Sequence, residues 1–342
     1  PWPCAGPTSR AAGSADCRPP SRNRPPRGSV PHVLSADDAA RFRARFDQVA
    51  TNVAGFIQGK QQVIELALVC LFAEGHLLIE DVPGVGKTSL ARSIAASLGM
   101  SWHRIQFTPD LLPSDVTGVS VYHQNTGTFE FHPGPLFAHL VLADEINRAS
   151  PRTQSALLEV MEERTVTVDA ATHAVPDPFM VIATQNPVEM DGTFPLPEAQ
   201  LDRFLMTVSV GYPDLAAEVR VLSNLQQGVR LEGLRPVATA DDVRAMIAMA
   251  ASVHVAPAVL DYVVRLVAAT RTRPDVRLGA SPRGSVGLLR AARVAAAAGG
   301  RHFVTPGDVQ ALAAPVLAHR LLLANVEAGP SAADSAGAAA SV

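Results

Sequence analysis

The stretch Glu80–Thr88, EDVPGVGKT, follows the apolar run Leu77–Ile79 and holds Lys87, one of only two lysines in a chain with 29 basic residues. Arginine stands at every other basic position except Lys60, so a lysine here asks for a chemical reason. The pattern predicts a buried strand ending at Glu80, a Gly/Pro loop, and a helix opening at Lys87. That order makes a phosphate-binding loop, because glycines let backbone N–H groups converge on an anion and the helix N-terminus adds partial positive charge. Val82, Pro83, Gly84, Val85 and Gly86 would form the cradle for ATP, with Ser89 following. Lys87 would reach the β- and γ-phosphates, and the Thr88 hydroxyl would ligate Mg2+. Asp81 stands where the usual G-x-x-x-x-G-K-[ST] pattern has its first glycine. Aspartate accommodates turns, but a negative charge beside phosphates is expected to weaken binding. The plain alternative is an ordinary glycine-rich turn between a strand and a helix.

A second apolar run, His139–Asn147 (HLVLADEIN), ends in two acids. Asp144 at a strand end can orient the Mg2+ water shell, and Glu145 beside it can act as general base on the attacking water. Alone, such a pair reads as a solvated turn. Behind a phosphate loop, on the next strand but one, it reads as a catalytic pair.

Around these motifs apolar strands alternate with helices, which indicates a parallel sheet covered on both faces. Strands are expected in WHRIQF, FMVIATQN and FLMTVSV, and a helix in PRTQSALLEVMEE opened by Pro151. Two hairpins interrupt the alternation, one turning at Asn125–Gly127 and one within TVTVDAATHAVPDP. Order is expected to begin near Ser35, which caps a first helix with Asp38 near its positive end. From about Tyr212 only helices are expected. The reading divides the chain into a disordered Arg/Pro-rich segment 1–33, a nucleotide-binding core 34–211, a helical domain 212–326 and a disordered tail 327–342.

With both motifs, ASPRTQSALLEVMEE, ATQNPVEMDGTFPLPEAQLDRF and GASPRGS, the sequence closely resembles the MoxR-type AAA+ ATPases from about Asp37 to Leu323. The resemblance implies an α/β fold: an AAA+ P-loop parallel-sheet core with a C-terminal all-helical lid. The two hairpins resemble the helix-2 insert and pre-sensor-1 hairpin of the wider clade. By the same resemblance Asn186 is sensor 1, holding the attacking water or γ-phosphate. Arg203 is the arginine finger, and Arg283 is sensor 2, carried on the lid over the nucleotide. Gly59 and its apolar neighbours would pack on adenine, while Lys60 reads as a solvated helix start.

Bulk properties narrow the partners. The net charge is -3, and the first 31 residues carry five arginines against one aspartate, leaving 24 basic and 31 acidic side chains elsewhere. Such a body has no bulk attraction for nucleic acid. Cys4, Cys17 and Cys70 are too few for a disulfide framework, and Cys70 reads as a buried apolar residue of a reduced cytoplasmic protein. No run has transmembrane length. The histidines show no metal spacing in sequence and receive no ligand role. The first functional reading is a ring-forming ATPase, a homo-oligomer of hexamer type, acting as a chaperone or remodeller in maturation or metal insertion of a partner complex. The family's association with von Willebrand factor A domain proteins suggests the class of client. A DNA translocase or helicase-related motor is the second reading, disfavoured because the tip DAATHAV lacks Lys, Arg and aromatic residues. A low-turnover nucleotide-gated binding module is the third, disfavoured by the intact Glu145, Asn186 and Arg203.

Overall fold

A computed structural model of the chain describes residues 34–82, 84–169, 171–186, 193–226 and 233–324. The segments 1–33 and 327–342 and Pro83 of the loop lie outside the described residues. The strands up to the last of the main sheet are β1 (Leu77–Glu80), β2 (Trp102–Gln106), β3 (Gly118–His123), β4 (Thr128–Pro133), β5 (Leu140–Asp144), β6 (Thr165–Val168), β7 (Ala171–Ala174), β8 (Met180–Gln185) and β9 (Met206–Val208). Five of them form one parallel sheet in the order β2-β5-β8-β1-β9. The pairs β3–β4 and β6–β7 are separate antiparallel hairpins, as their turn residues indicate.

Helices α1 (Ala36–Ala54), α2 (Gln61–Phe72), α3 (Lys87–Ser97), α4 (Pro113–Thr117), α5 (Pro151–Glu163) and α6 (Glu198–Leu201) surround the sheet. Ser35 caps α1 in a reciprocal box with Asp38, its hydroxyl accepting from the Asp38 amide at 3.1 Å. Strand alternation decides which side chains meet which layer. Leu77, Ile79, Leu140, Leu142, Met180 and Ile182 face one layer with Phe42, Ile64, Leu90 and Ile94. Leu78, Val141, Ala143, Val181 and Ala183 face the other, against Leu157, Leu158 and Met161 of α5. Both faces are dry, so truncating one of the larger of these side chains to alanine costs about 2–5 kcal/mol.

The remaining chain forms α7 (Leu215–Gln226), α8 (Ala240–Ala251), α9 (Pro257–Ala269), α10 (Pro282–Ala298) and α11 (Pro306–Leu317). It is not wholly helical: β10 (Val276–Leu278) and β11 (Leu322–Leu323) pair antiparallel. These two strands are too short to show a period in sequence. The helices share the apolar cluster of α1–α3, since Val243, Met246, Leu288, Ala292, Val309 and Leu312 join Phe42 and Val49 in it. At Gly287 a Cβ would stand 2.9 Å from Leu205, so α10 approaches the entry to β9 as closely as glycine permits. Arg320, in the 3-10 turn after α11, fastens the helical part there. Its guanidinium donates to the Asp202 carboxylate at 2.8 Å and to the carbonyls of Phe204 at 2.6 Å and Leu205 at 3.2 Å. Burial pulls this guanidinium below its ordinary value, while Asp202 opposes the shift. A buried cation so fully bonded is costly to leave unpaired.

Candidate functional site

The carboxyl ends of the parallel strands gather the first group of expected residues, where open α/β sheets place their ligands. Gly84 and Gly86 adopt φ of +86° and +94°, and a Cβ at either would meet nothing within 4 Å. The backbone is thus left-handed and open on the cradle side, the form a phosphate loop requires. α3 begins at Lys87 with Gly86 as its cap, and Thr88 and Ser89 stand in its first turn. The Lys87 ammonium donates to the Asp81 carbonyl at 2.8 Å. Burial lowers its pKa, opposed by Asp144, Asp81 and Glu145.

The Asp81 carboxylate points away from this cradle. It accepts from the Ser209 hydroxyl at 3.1 Å, from the Gly211 amide, and from the Val82 amide at 2.8 Å. The residue is 8% exposed, so the charge that the sequence sets beside phosphate is spent on the chain leaving β9. Lys60 belongs to the same seam. Its ammonium donates to the Tyr212 carbonyl at 2.8 Å, so it is tied down and not simply solvated. Gly59, at φ +72°, lies against α7, where a Cβ would come 2.8 Å from the Ala217 methyl.

Asp144 ends β5, and both its oxygens are engaged. Oδ1 accepts from the Thr184 hydroxyl at 2.6 Å, and Oδ2 from Arg104 at 2.6 and 3.1 Å. A carboxylate has about four lone-pair sites, so room remains for a metal-bound water. Glu145 occupies the left-handed region at φ 56°, ψ 50°, which costs a non-glycine residue on the order of 1–3 kcal/mol. Its backbone amide is fixed by Thr184 at 2.9 Å, its carboxylate by Gln106 at 2.8 Å and Arg148 at 3.1 Å. Asn186, 6% exposed, follows Gln185 of β8, the strand between β1 and β5. It therefore stands between the phosphate loop and the acidic pair.

Arg203 and Arg283 lie elsewhere. Arg203 precedes β9, whose first residue, Met206, pairs with Leu77 at the amino end of β1. Its guanidinium meets one oxygen of Glu162 at 3.2 Å, and Arg283 meets the other at 2.5 Å. Glu162 is near the end of α5, whose next residues bond to the carbonyls of Phe179 and Glu74 beside the strand starts. Roughly 15 Å of strand separates this edge from the phosphate loop. Arg283, expected on the lid over the nucleotide, thus stands at the amino edge of its own sheet, on Glu162. The cause is the docking of α10 and the Arg320 turn against Asp202–Leu205.

Sequence reasoning did not single out Arg104, Gln106, Arg148, Thr184 or Glu162. A signal existed for two of them: Arg104 and Gln106 are polar residues two apart on β2, hydrogen-bonded neighbour of the Asp144 strand. Glu162 carries no local mark, because its role depends on a helix more than a hundred residues later.

The model of the ATPase family associated with various cellular activities (AAA) matches residues 76–206, and an AAA lid-domain model matches 268–337. The chain is 52% identical over 265 residues to the uncharacterized protein YeaC of Bacillus subtilis, covering 78% of this chain and 83% of that one. It is 42% identical over 314 residues to chaperone MoxR1 of Mycobacterium tuberculosis, covering 89% and 81%. A crystal structure of a candidate ATPase from Cytophaga hutchinsonii superposes with TM-score 0.81 at 35% identity, covering 89% of this chain and 95% of that one. Among the described residues no helix is long and apolar enough to cross a membrane.

Proposed function

The chain belongs to the MoxR family of AAA ATPases, and from that membership we propose that it is a Mg2+-dependent ATP hydrolase whose active site is completed by a neighbouring copy. One observation carries this reading: Lys87, Asp144, Glu145 and Asn186 share the carboxyl edge of the sheet, while Arg203 and Arg283 share the amino edge. One molecule cannot bring both groups to one nucleotide.

In this reading the amides of 84–88 and the Lys87 ammonium hold the β- and γ-phosphates. Thr88 and Asp144 would hold Mg2+, which would supply positive charge against the phosphates. The residues present fit that ion, since a first-turn hydroxyl and a carboxylate with spare lone pairs are oxygen donors of the kind Mg2+ takes. Glu145 accepts the proton of the attacking water, and Asn186 orients that water against the γ-phosphate. Arg203 and Arg283 of the neighbour lay planar cations on the transferring group. Gly59 and Lys60, packed with α7, form the base side of the pocket.

An edge that supplies what the opposite edge lacks makes a heterologous interface, which closes into a ring. A hexamer is the assembly proposed, working as a chaperone or remodeller in the maturation of a partner complex, metal insertion included. A von Willebrand factor A domain protein is the proposed client, on the family resemblance. The test mixes two variants under subunit exchange. Arg203→Ala keeps Glu145, and Glu145→Gln keeps Arg203. Each alone should lose about a thousandfold in phosphate release, and the mixture should recover a measurable fraction. Co-assembly with no recovery would remove Arg203 from the neighbour's site.

A further inference from the structure

The β3–β4 ribbon presents two chemically different faces. Tyr122, Phe129 and Phe131 lie on one; Phe131 stacks on His173 of β7 at 4.0 Å, joining the two hairpins. The other face carries His123, Glu130 and His132, with Val119 and Val121 beside them. Strand register places Glu130 opposite Val121 and diagonal to His123, while His132 follows two residues along the same strand, so one carboxylate stands between two imidazoles. Their nitrogen and oxygen ligand atoms all lie within 4.8 Å of one another. His123 Nε2 stands 2.9 Å from Glu130 Oε2, yet it makes no hydrogen bond among the described residues although the atom is closed to water.

We propose that His123, Glu130 and His132 form a binding site for a divalent transition metal of the zinc type. Two imidazoles and one carboxylate suit zinc, whereas Mg2+ and Ca2+ prefer all-oxygen shells. Ligand atoms around tetrahedral zinc stand about 3.4 Å apart, given bond lengths near 2.1 Å. Closing from 4.8 Å needs rotation of two exposed side chains, Glu130 and His132, toward the half-buried His123. Three protein ligands leave a position open to water or to a donor from a partner. The bound ion cross-links the two strands next to the Gln124–Gly127 turn and stiffens the ribbon. This site is separate from Thr88 and Asp144, and its failure would leave the ATPase reading untouched.

The test titrates the full chain with Zn2+ in millimolar Mg2+ by calorimetry, and repeats it with Co2+ by absorption. Wild type should bind one more equivalent than the His123→Ala/His132→Ala double variant. Its Co2+ form should show ligand-field bands that the double variant lacks. Glu130→Gln should bind at least tenfold more weakly. Thermal melting without metal monitors folding, which changes at an exposed ribbon should leave intact. Equal zinc stoichiometry and affinity in wild type and double variant would overturn the proposal, as would wild-type protein that takes up no zinc.

Discussion

At the carboxyl ends of the central strands Asp81, Asp144 and Glu145 act on Lys87, with Arg104 paired to Asp144 and Arg148 to Glu145. At the amino ends Arg164, Arg203, Arg283 and Arg320 surround Glu162 and Asp202. The acidic edge takes its acids from the strand ends and the loop, and the basic edge takes its arginines from elements outside the sheet. The acidic edge is shaped by backbone, with left-handed glycines and a left-handed Glu145. The basic edge is shaped by side chains arriving from distant segments. This difference explains why one half of the machinery is concentrated in two short motifs and the other half is scattered.

The largest effects should separate functions within the acidic edge. Lys87→Ala should abolish nucleotide binding, measured with a fluorescent analogue. Glu145→Gln should bind normally and lose about a thousandfold or more in phosphate release. If Glu145→Gln binds as poorly as Lys87→Ala, the acidic edge has no division between binding and chemistry.

A smaller effect tests the basic edge. Glu162 holds both arginines, so under the proposed function it would position them. Glu162→Gln should lower turnover about tenfold at unchanged nucleotide affinity. The pair is partly exposed and contributes only about 0–1 kcal/mol to stability, so melting should barely move. Wild-type turnover in this variant would mean that the arginines are positioned by other contacts.

Acid should distinguish the edges through His76, which precedes β1. Its Nδ1 accepts from the Val181 amide at 2.9 Å, its Nε2 meets the Met161 carbonyl at 3.0 Å, and burial holds its pKa down to about 3. The folded state keeps it neutral while the unfolded chain protonates below about 6.5. Stability is therefore complete above that value and declines as pH falls toward 3, by about 1.4 kcal/mol per unit. Hydrogen exchange at pH 5 should show the amino edge opening first; opening confined to the phosphate loop would contradict this.

The smallest effect on activity is expected at Asp81. Asp81→Gly restores the common loop pattern yet should lower stability by about 1–3 kcal/mol, since Ser209 and Gly211 lose a buried acceptor. Nucleotide affinity should change less than threefold, because the carboxylate faces away from the cradle. A large gain in affinity would show that its charge is felt by the phosphates.

These contrasts follow what could be read from the sequence. Strand β1, the glycines and α3 are consecutive, so local spacing alone places Lys87 and Thr88. Asp144 and Asn186 end apolar runs, and the parallel order brings those ends together. The place of Arg283 in the fold was not legible, because burial of Arg320 on Asp202 helps decide where α10 docks. The three metal-type ligands were invisible for a similar reason. Glu130 and His132 are two apart on one strand, and register across β3 and β4 brings His123 to them.

Both lysines of the chain end on backbone carbonyls along one seam, Lys87 on Asp81 and Lys60 on Tyr212, with the Asp81 carboxylate joining them through the Gly211 amide. The exit from β9 is thus held at its start and at its finish by groups that also frame the proposed nucleotide pocket. By linkage, a ligand that draws Lys87 from the Asp81 carbonyl must alter the freedom of residues 209–212, and strain on α7 must alter ligand affinity by the same free energy. The Gly211 amide, exchanging with solvent only when this seam parts, is the place where that reciprocity could be timed.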